Sequence, residues 1–252
     1  MYKIPANTLF MGQKLIYVPE CHSTNSSLAE LINHADLPEG LVLLTDHQTK
    51  GRGQRGNSWE SGQGENLTFS LLLLPRFLAT KDQFQLNMAI ALGIAAGLHA
   101  LVSRTISLKW PNDILIDYKK VAGILIENQS QGSALSASII GIGVNVNQSR
   151  FSYPQTGSLI QFVGAALSLE DVFENLISSL EASYLQLRSG NIEAIRADYL
   201  KSLYKYNQLQ SFESNGDRFV GRITDVDEFG RLCVNVDASI RKFSLKEIRM
   251  VN

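Results

Sequence analysis

The chain has 252 residues, of which 44% are hydrophobic and 19% are charged, so we expect one large domain with its own core and room for a small appendage. The formal net charge of -1 excludes a general attraction to nucleic acid or anionic lipid, because such binding requires an excess of Lys and Arg. No apolar run approaches the roughly 18 residues of a membrane-spanning helix, and the first residues do not resemble a signal peptide, so a cytoplasmic protein is predicted.

Strand and helix patterns alternate as far as about residue 203. Ser27 and Glu30 have capping-box spacing and precede an apolar helical repeat, which predicts a helix that begins near Ser27. An amphipathic pattern at 84–98 predicts a second helix, and two more are predicted at 170–187 and 192–203. Short apolar runs predict strands at 15–18, 41–44, 66–74, 106–110, 114–117, 121–127 and 137–142. The fold class is therefore α+β, a mixed β-sheet backed by helices.

Beyond Tyr206 the pattern changes to short strands separated by turns. The dipeptides Asn215-Gly216 and Phe229-Gly230 favour tight turns between antiparallel strands. We therefore predict a small SH3-like β-barrel at 206–252. Because so small a barrel buries little apolar surface alone, it is expected to pack on a larger domain formed by residues 1–205.

Residues 51–64 form a glycine-rich loop between two predicted strands. The loop starts with Gly-Arg-Gly-Gln-Arg-Gly, which fits the G-x-G-x-x-G pattern, yet no helix follows as in a dinucleotide-binding fold. The Lys and Ser or Thr of a P-loop and the later segments of a kinase are also missing. One alternative is a solvated surface loop. The other is a loop that wraps a phosphate or carboxylate, with Arg52, Arg55 and the backbone N–H groups that glycine leaves accessible as donors.

Five segments, taken together in this order and spacing, resemble the biotin protein ligases. They are CHSTN at 21–25, the stretch 48–59, KWPND at 109–113, KVAGILIE at 120–127 and GIGVNVN at 141–147. The resemblance implies a class II synthetase-like catalytic domain at 1–205 and the family's two reactions. Biotin would be activated with ATP and Mg²⁺ to biotinyl-5'-AMP, and then transferred to a lysine of a biotin carboxyl carrier protein.

The resemblance also implies roles for single residues. Ser23, Thr24 and Gln48 match the positions that bind the ureido ring of biotin, which offers one carbonyl acceptor and two N–H donors. Helix capping is the alternative for Ser23 and Thr24. Arg52 would hold the carboxylate and the phosphate, and Lys120 would stabilise the charge that develops as the biotin carboxylate attacks the α-phosphorus.

Asp113 matches a carboxylate assigned to Mg²⁺ or to the incoming lysine amine, although it could be only a turn residue. Trp59 matches an aromatic residue that packs against adenine, whereas Trp110 is expected in the core. Asn145 matches a residue that recognises adenine. The predicted catalytic set is thus Arg52, Lys120 and Asp113. The remaining predicted ligand-binding residues are Asn25, Gly51, Gly53, Gln54, Arg55, Asn112, Gly123 and Gly143.

The sequence departs from the family's commonest bacterial pattern at three places. Gln54 stands where many relatives have Arg, and Asn57 replaces a frequent basic residue, so the positive field around the adenylate is weaker. About 15 residues precede the first predicted strand, too few for the helix-turn-helix domain with which regulatory members bind operator DNA. A monofunctional enzyme without DNA binding is expected, and the sequence is compatible with a monomer and with a homodimer.

A biotin ligase has three alternatives. A lipoate protein ligase shares the fold and the adenylation chemistry, but its dithiolane substrate has no use for the polar set at Ser23, Thr24 and Gln48. A biotin-sensing module without catalysis would not need Lys120 and Asp113. Nucleic-acid binding by the barrel would need a basic stripe, whereas its Arg and Lys residues are interspersed with acids.

Overall fold

The computed structural model describes residues 2–251, with the exception of the Arg55 side chain. The strands of the larger sheet are β1 (Leu15–Cys21), β2 (Val42–Gln48), β3 (Leu67–Leu73), β4 (Ile106–Lys109), β5 (Asp113–Ile116), β6 (Lys119–Gln131) and β7 (Ala134–Val144). Their order across the sheet is β1-β2-β3-β7-β6-β5-β4. β1 and β2 run parallel and the other neighbours are antiparallel, so the sheet is mixed, as predicted.

The helices are α1 (Thr24–His34), α2 (Gln83–His99), α3 (Ile160–Val163), α4 (Leu169–Arg188) and α5 (Ile192–Ser202). The predicted start of the first helix at Ser27 was wrong, because α1 begins at Thr24 and Ser23 is its N-cap residue. The Thr24 N–H lacks a partner inside the first helical turn and donates instead to Gln48 Oε1 at 2.8 Å. A residue of β2 therefore stabilises the helix start, which the local spacing around Ser27 does not reveal.

Alternate residues of a strand face opposite sides of a sheet. In β2, Val42 and Leu44 join the main core with residues of α2, α4 and α5, whereas Leu43 packs with Leu28 of α1. In β3, β6 and β7, large apolar residues likewise face the main core. On the α1 side, the central strands carry small or polar residues, which leaves open space above the sheet. These residues are Thr68, Ser70, Gly123, Gly141 and Gly143.

The C-terminal strands are β8 (Leu209–Ser214), β9 (Asp217–Val226), β10 (Leu232–Val236), β11 (Ser239–Phe243) and β12 (Arg249–Val251). They form an antiparallel sheet in the order β11-β10-β9-β8-β12. Phe212 and Ile223 of this sheet belong to the same apolar cluster as the main core, so the two sheets share one continuous interior. Within residues 2–251, no helix combines the length and the apolar character that crossing a membrane requires.

Candidate active site

A cavity of about 560 Å³ lies between the α1 side of the large sheet, the glycine-rich loop and the small sheet. Its volume is typical of small-molecule sites. Among the described residues that line it, five have cationic side chains and only Asp113 has an acidic one. The local charge therefore favours an anionic ligand. The cationic residues are Arg52, Lys109, Lys120, Lys246 and Arg249.

Most of the predicted site residues meet at this cavity. Gly51 does not line it, and its carbonyl accepts a hydrogen bond from the Trp59 N–H at 3.0 Å. Asn145 is buried outside the lining. The Arg55 side chain lies outside the described part of the chain. The predicted residues that do line the cavity are Ser23, Thr24, Asn25, Gln48, Arg52, Gly53, Gln54, Trp59, Asn112, Asp113, Lys120, Gly123 and Gly143.

Neutral hydrogen-bonding groups lie together where β1 and β2 meet the start of α1. Both the N–H and the Oγ of Thr24 donate to Gln48 Oε1, at 2.8 and 3.2 Å. Ser23 lines the cavity and its side chain makes no capping hydrogen bond, so helix capping does not occupy its hydroxyl. Such a set can accept from and donate to an uncharged, amide-like ligand group.

Glycine backbone on β6 and β7 makes room for the Trp59 ring. A Cβ atom on Gly143 would lie 2.3 Å from that ring, and a Cβ atom on Gly123 would lie 3.0 Å from it. These distances mean that the indole contacts both strands directly. Lys120 Nζ lies 5.6 Å from the ring centroid, within the range of a cation–π contact. The aromatic ring and the cation are thus placed side by side in the cavity.

Lys120 and Asp113 form an ion pair across the β5–β6 hairpin, with 2.6 Å between Nζ and Oδ1. Asn112 fixes the start of β5 against β6, because its Nδ2 donates to the Ile124 carbonyl at 2.7 Å. The Ile124 N–H returns a bond to the Asn112 carbonyl at 3.0 Å. The structure therefore brings the predicted catalytic lysine and carboxylate into direct contact on a rigid hairpin.

Arg52 contacts Glu127, a residue that the sequence analysis did not assign to the site. Arg52 Nη2 lies 2.7 Å from Glu127 Oε2, and the same oxygen accepts a bond from Asn25 Nδ2 at 2.7 Å. The position of Glu127 at the end of the KVAGILIE segment is the only sequence signal for it. Its partner lies on a loop 75 positions earlier, so the contact depends on tertiary structure.

Several buried polar atoms at or beside the cavity have no hydrogen-bond partner among the described residues. Asn145 Nδ2 donates to the Gly157 carbonyl at 3.0 Å, but Asn145 Oδ1 is unpaired. The others near the cavity are Gln54 Oε1, Trp59 Nε1 and Thr68 Oγ1. Leaving a buried polar group unpaired destabilises a protein, so their concentration here indicates a polar ligand.

The small sheet also contributes to the cavity. Trp110, expected in the core, is half-buried and packs against the main core, and it also lines the cavity. Its Nε1 donates to the Gly230 carbonyl at 2.9 Å. Arg249 of β12 lines the cavity as well and pairs with Glu213 at 2.7 Å. The hydrogen bonds from Arg249 hold the pKa of Glu213 below its usual range. The hydrogen bond from Trp110, which follows β4, to Gly230, which lies between β9 and β10, connects the two sheets beside the cavity.

The carboxylates of the described residues limit how a Mg²⁺ ion could be bound. Across the described residues, no group of three or more His, Cys, Asp or Glu side chains could hold a metal. Mg²⁺ is commonly bound by one or two carboxylates together with substrate phosphates and water. The single carboxylate of Asp113, in a cavity that favours anions, fits that second kind of site.

Comparison with known proteins agrees with this geometry. The sequence model of the Biotin/lipoate A/B protein ligase family matches residues 17–145. The bifunctional ligase/repressor BirA of Bacillus subtilis is 30% identical, over 96% of this chain and 76% of that protein. The biotin--[acetyl-CoA-carboxylase] ligase of Mycobacterium tuberculosis is 32% identical, over 89% of this chain and 84% of that protein. The solved biotin protein ligase from Aquifex aeolicus in complex with biotin and ATP is 24% identical, over 95% of this chain and 99% of that one. The two structures superpose with a TM-score of 0.78, so they share the fold.

Proposed function

The chain belongs to the Biotin/lipoate A/B protein ligase family, and from that premise we propose that it is a biotin protein ligase. The observation that carries the proposal is one cavity that combines the neutral set at Thr24 and Gln48 with the cations Arg52 and Lys120. The neutral set suits a ureido ring, and the cations suit a carboxylate and phosphates. We propose residues 1–205 as the catalytic unit and 206–252 as the small barrel that contributes to its cavity.

In the first reaction, a carboxylate oxygen of biotin attacks the α-phosphorus of ATP, the bond to the β-phosphate oxygen breaks, and pyrophosphate leaves. Negative charge accumulates on the α-phosphate oxygens as this occurs. Lys120 would stabilise that charge from its fixed place on the β5–β6 hairpin. Arg52 would hold the carboxylate and phosphate groups in line, and Trp59 would pack against the adenine ring.

A Mg²⁺ ion, when bound, would neutralise phosphate charge, and Asp113 is the described residue placed to hold it. Substrate phosphates and water would complete the coordination, so the site would need no further protein carboxylates. Asn145 does not line the cavity, but its buried Oδ1 has no partner among the described residues, and the amino group of adenine would supply the missing donor.

In the second reaction, the amine of a carrier lysine attacks the carboxyl carbon of the biotinyl-adenylate. The C–O bond of the mixed anhydride breaks, AMP leaves, and the nitrogen loses a proton as the amide forms. The name of the Mycobacterium tuberculosis relative refers to acetyl-CoA carboxylase. We therefore propose the biotin carboxyl carrier domain of that enzyme as the protein substrate.

Exchange of labelled pyrophosphate into ATP tests the first reaction, with biotin and lipoate supplied in separate assays. We expect exchange with biotin and none above background with lipoate. Exchange supported by lipoate alone would make the chain a lipoate ligase. No exchange with either acid, in protein that binds biotin, would favour a sensing module.

A further inference from the structure

A continuous chain of hydrogen bonds joins the buried sheet to the glycine-rich loop. Ser70 is fully buried on β3, and its hydroxyl lies 2.6 Å from Asn25 Oδ1. Asn25 Nδ2 donates to Glu127 Oε2 at 2.7 Å, and Arg52 Nη2 donates to the same oxygen at 2.7 Å. Every link has the length of a good hydrogen bond, and the last one is charge-assisted.

We propose that Glu127 is a positioning residue that holds the Arg52 guanidinium at the cavity before substrates bind. The inference rests on the proposed function, because it assumes that Arg52 contacts the carboxylate or phosphate of the substrates. Glu127 is not among the residues that line the cavity, whereas Arg52 is. Glu127 therefore acts on the reaction through Arg52 and does not touch substrate itself.

The rigidity of the anchor is what distinguishes this pair from an ordinary surface ion pair. Arg52 and Glu127 side chains are 43% and 39% exposed, and an isolated pair of that kind contributes little to stability. Here the carboxylate is itself held by Asn25, which is only 2% exposed. Asn25 is in turn enclosed by β7, since a Cβ atom on Gly141 would lie 2.4 Å from Asn25 Oδ1.

A fixed carboxylate reduces the conformational freedom that Arg52 would lose on binding substrate. Arginine carries several rotatable bonds, and its loop is rich in glycine, so an unanchored Arg52 would sample many positions. Arginine has five N–H donors, and the bond to Glu127 occupies only one nitrogen of the fork. The other donors stay available for a carboxylate or phosphate oxygen.

The kinetic test compares Glu127→Gln with the wild type in biotin-dependent pyrophosphate exchange. Gln keeps an oxygen for Asn25 Nδ2 but removes the charge that holds Arg52. We expect the KM for ATP to rise about tenfold while kcat changes by less than about twofold, because the loss is one of preorganised binding. In an Arg52→Ala background the same substitution should have no further effect. If Glu127→Gln leaves the KM for ATP unchanged, the inference is wrong. It is also wrong if the double variant shows the product of the two single-variant effects, because the two residues would then act independently.

A second test needs no substrate and so separates this inference from the proposed function. Trypsin cleaves after Arg52 only when that side chain can leave its anchor, so Glu127→Gln should be cut there several-fold faster than the wild type. The matched control is Glu20→Gln, which removes the negative charge from an exposed contact between Glu20 of β1 and His47 of β2, 2.9 Å apart. Equal cleavage in all three proteins would show that Glu127 does not anchor Arg52. If the wild type has no ligase activity but Glu127→Gln is still cleaved faster, the proposed function is wrong and the positioning role of Glu127 stands.

Discussion

Lys120 Nζ lies 2.6 Å from Asp113 Oδ1, so the predicted catalytic cation and the predicted metal-binding carboxylate form an ion pair with each other. Both side chains are partly exposed, at 32% and 24%. Under the proposed function, a phosphate of the nucleotide would compete with Asp113 for Lys120, and its accompanying cation would compete with Lys120 for Asp113. The ion pair would then exchange partners with the nucleotide without leaving a charge unpaired.

Lys120→Ala should slow the formation of biotinyl-adenylate by on the order of a hundredfold or more, because a positioned cation that stabilises transition-state charge is lost. Pyrophosphate exchange measures this step directly. Lys119→Ala is the matched control, since Lys119 is adjacent on β6 but lies outside the cavity lining and its Nζ approaches Gln161 Oε1 at 3.4 Å. Near-normal exchange by folded Lys120→Ala protein would remove Lys120 from the mechanism.

Much of the fold could be predicted because the apolar pattern is strong in its long elements. The helix predicted at 84–98 is α2 (Gln83–His99), and the strands predicted at 114–117 and 121–127 are β5 (Asp113–Ile116) and β6 (Lys119–Gln131). The short α3 (Ile160–Val163) escaped prediction, since four residues carry no helical period. The start of α1 was misplaced because the stabilising partner of Thr24 is on another strand.

The site was predictable only where its residues lie in recognisable segments. Those segments meet at one cavity because alternate residues of β3, β6 and β7 leave glycine and small polar side chains on the α1 side. Glu127 could not be assigned from sequence, since its role depends on Arg52 and Asn25 reaching the same oxygen. The same limit applies to the cavity contact of Trp110, whose partner is the Gly230 carbonyl in the turn between β9 and β10.

Gly143→Ala should weaken ATP binding, because the added Cβ atom would lie 2.3 Å from the Trp59 ring and displace it. We expect the KM for ATP to rise about tenfold, since the predicted adenine contact moves away. Gly123→Ala should have a smaller effect, because its Cβ would lie 3.0 Å from the same ring. Exchange kinetics and thermal unfolding of both variants check this, and equal KM values for the two variants and the wild type would contradict it.

Asp227 should make the stability of the fold depend on pH in the acid range. Its carboxylate is 5% exposed and contacts Arg231 at 2.7 Å and Lys242 at 3.3 Å. Burial alone would raise the pKa of Asp227, but the hydrogen bonds from Arg231 and Lys242 bring it below its usual range. The stabilisation is therefore complete above the unfolded-state pKa of about 3.9 and is lost as the pH falls through the lower folded-state pKa.

Asp227→Asn should lower the free energy of unfolding at neutral pH by about 2 kcal/mol, because it removes the charge from the hydrogen bonds that the buried carboxylate accepts from Arg231 and Lys242. It should also flatten the acid side of the stability curve. Urea unfolding between pH 7 and pH 2 measures both effects, with the exposed Asp217→Asn in β9 as control. Parallel pH curves for Asp227→Asn and the wild type would show that another carboxylate causes the acid sensitivity.

The glycine-rich loop should exchange its amide hydrogens quickly in the empty protein and slowly when the adenylate is bound. Few backbone hydrogen bonds join residues within the loop. Two of them run from the Gly53 N–H to the Asn57 carbonyl at 2.7 Å and from the Trp59 N–H to the Gly51 carbonyl at 3.0 Å. The ion pair of Arg52 and the packed Trp59 ring hold two points of the loop, whereas residues between them, such as Asn57, are exposed and bury little surface that could hold this segment closed. Contacts from Arg52 to the adenylate, and from Trp59 to its base, would offset the entropy lost on closure and exclude water from the mixed anhydride.

Hydrogen–deuterium exchange of residues 51–64 measures this closure, with the fully buried strand β3 (Leu67–Leu73) as an internal reference. Biotin with MgATP should slow exchange in the loop at least about tenfold, which corresponds to ~1.4 kcal/mol of added protection. ATP alone should slow it less, because the carboxylate half of the ligand is then absent, and β3 should not change in either case. Equal loop exchange with and without the adenylate, in protein with measured exchange activity, would mean that the intermediate is shielded by the cavity walls and that the loop does not close.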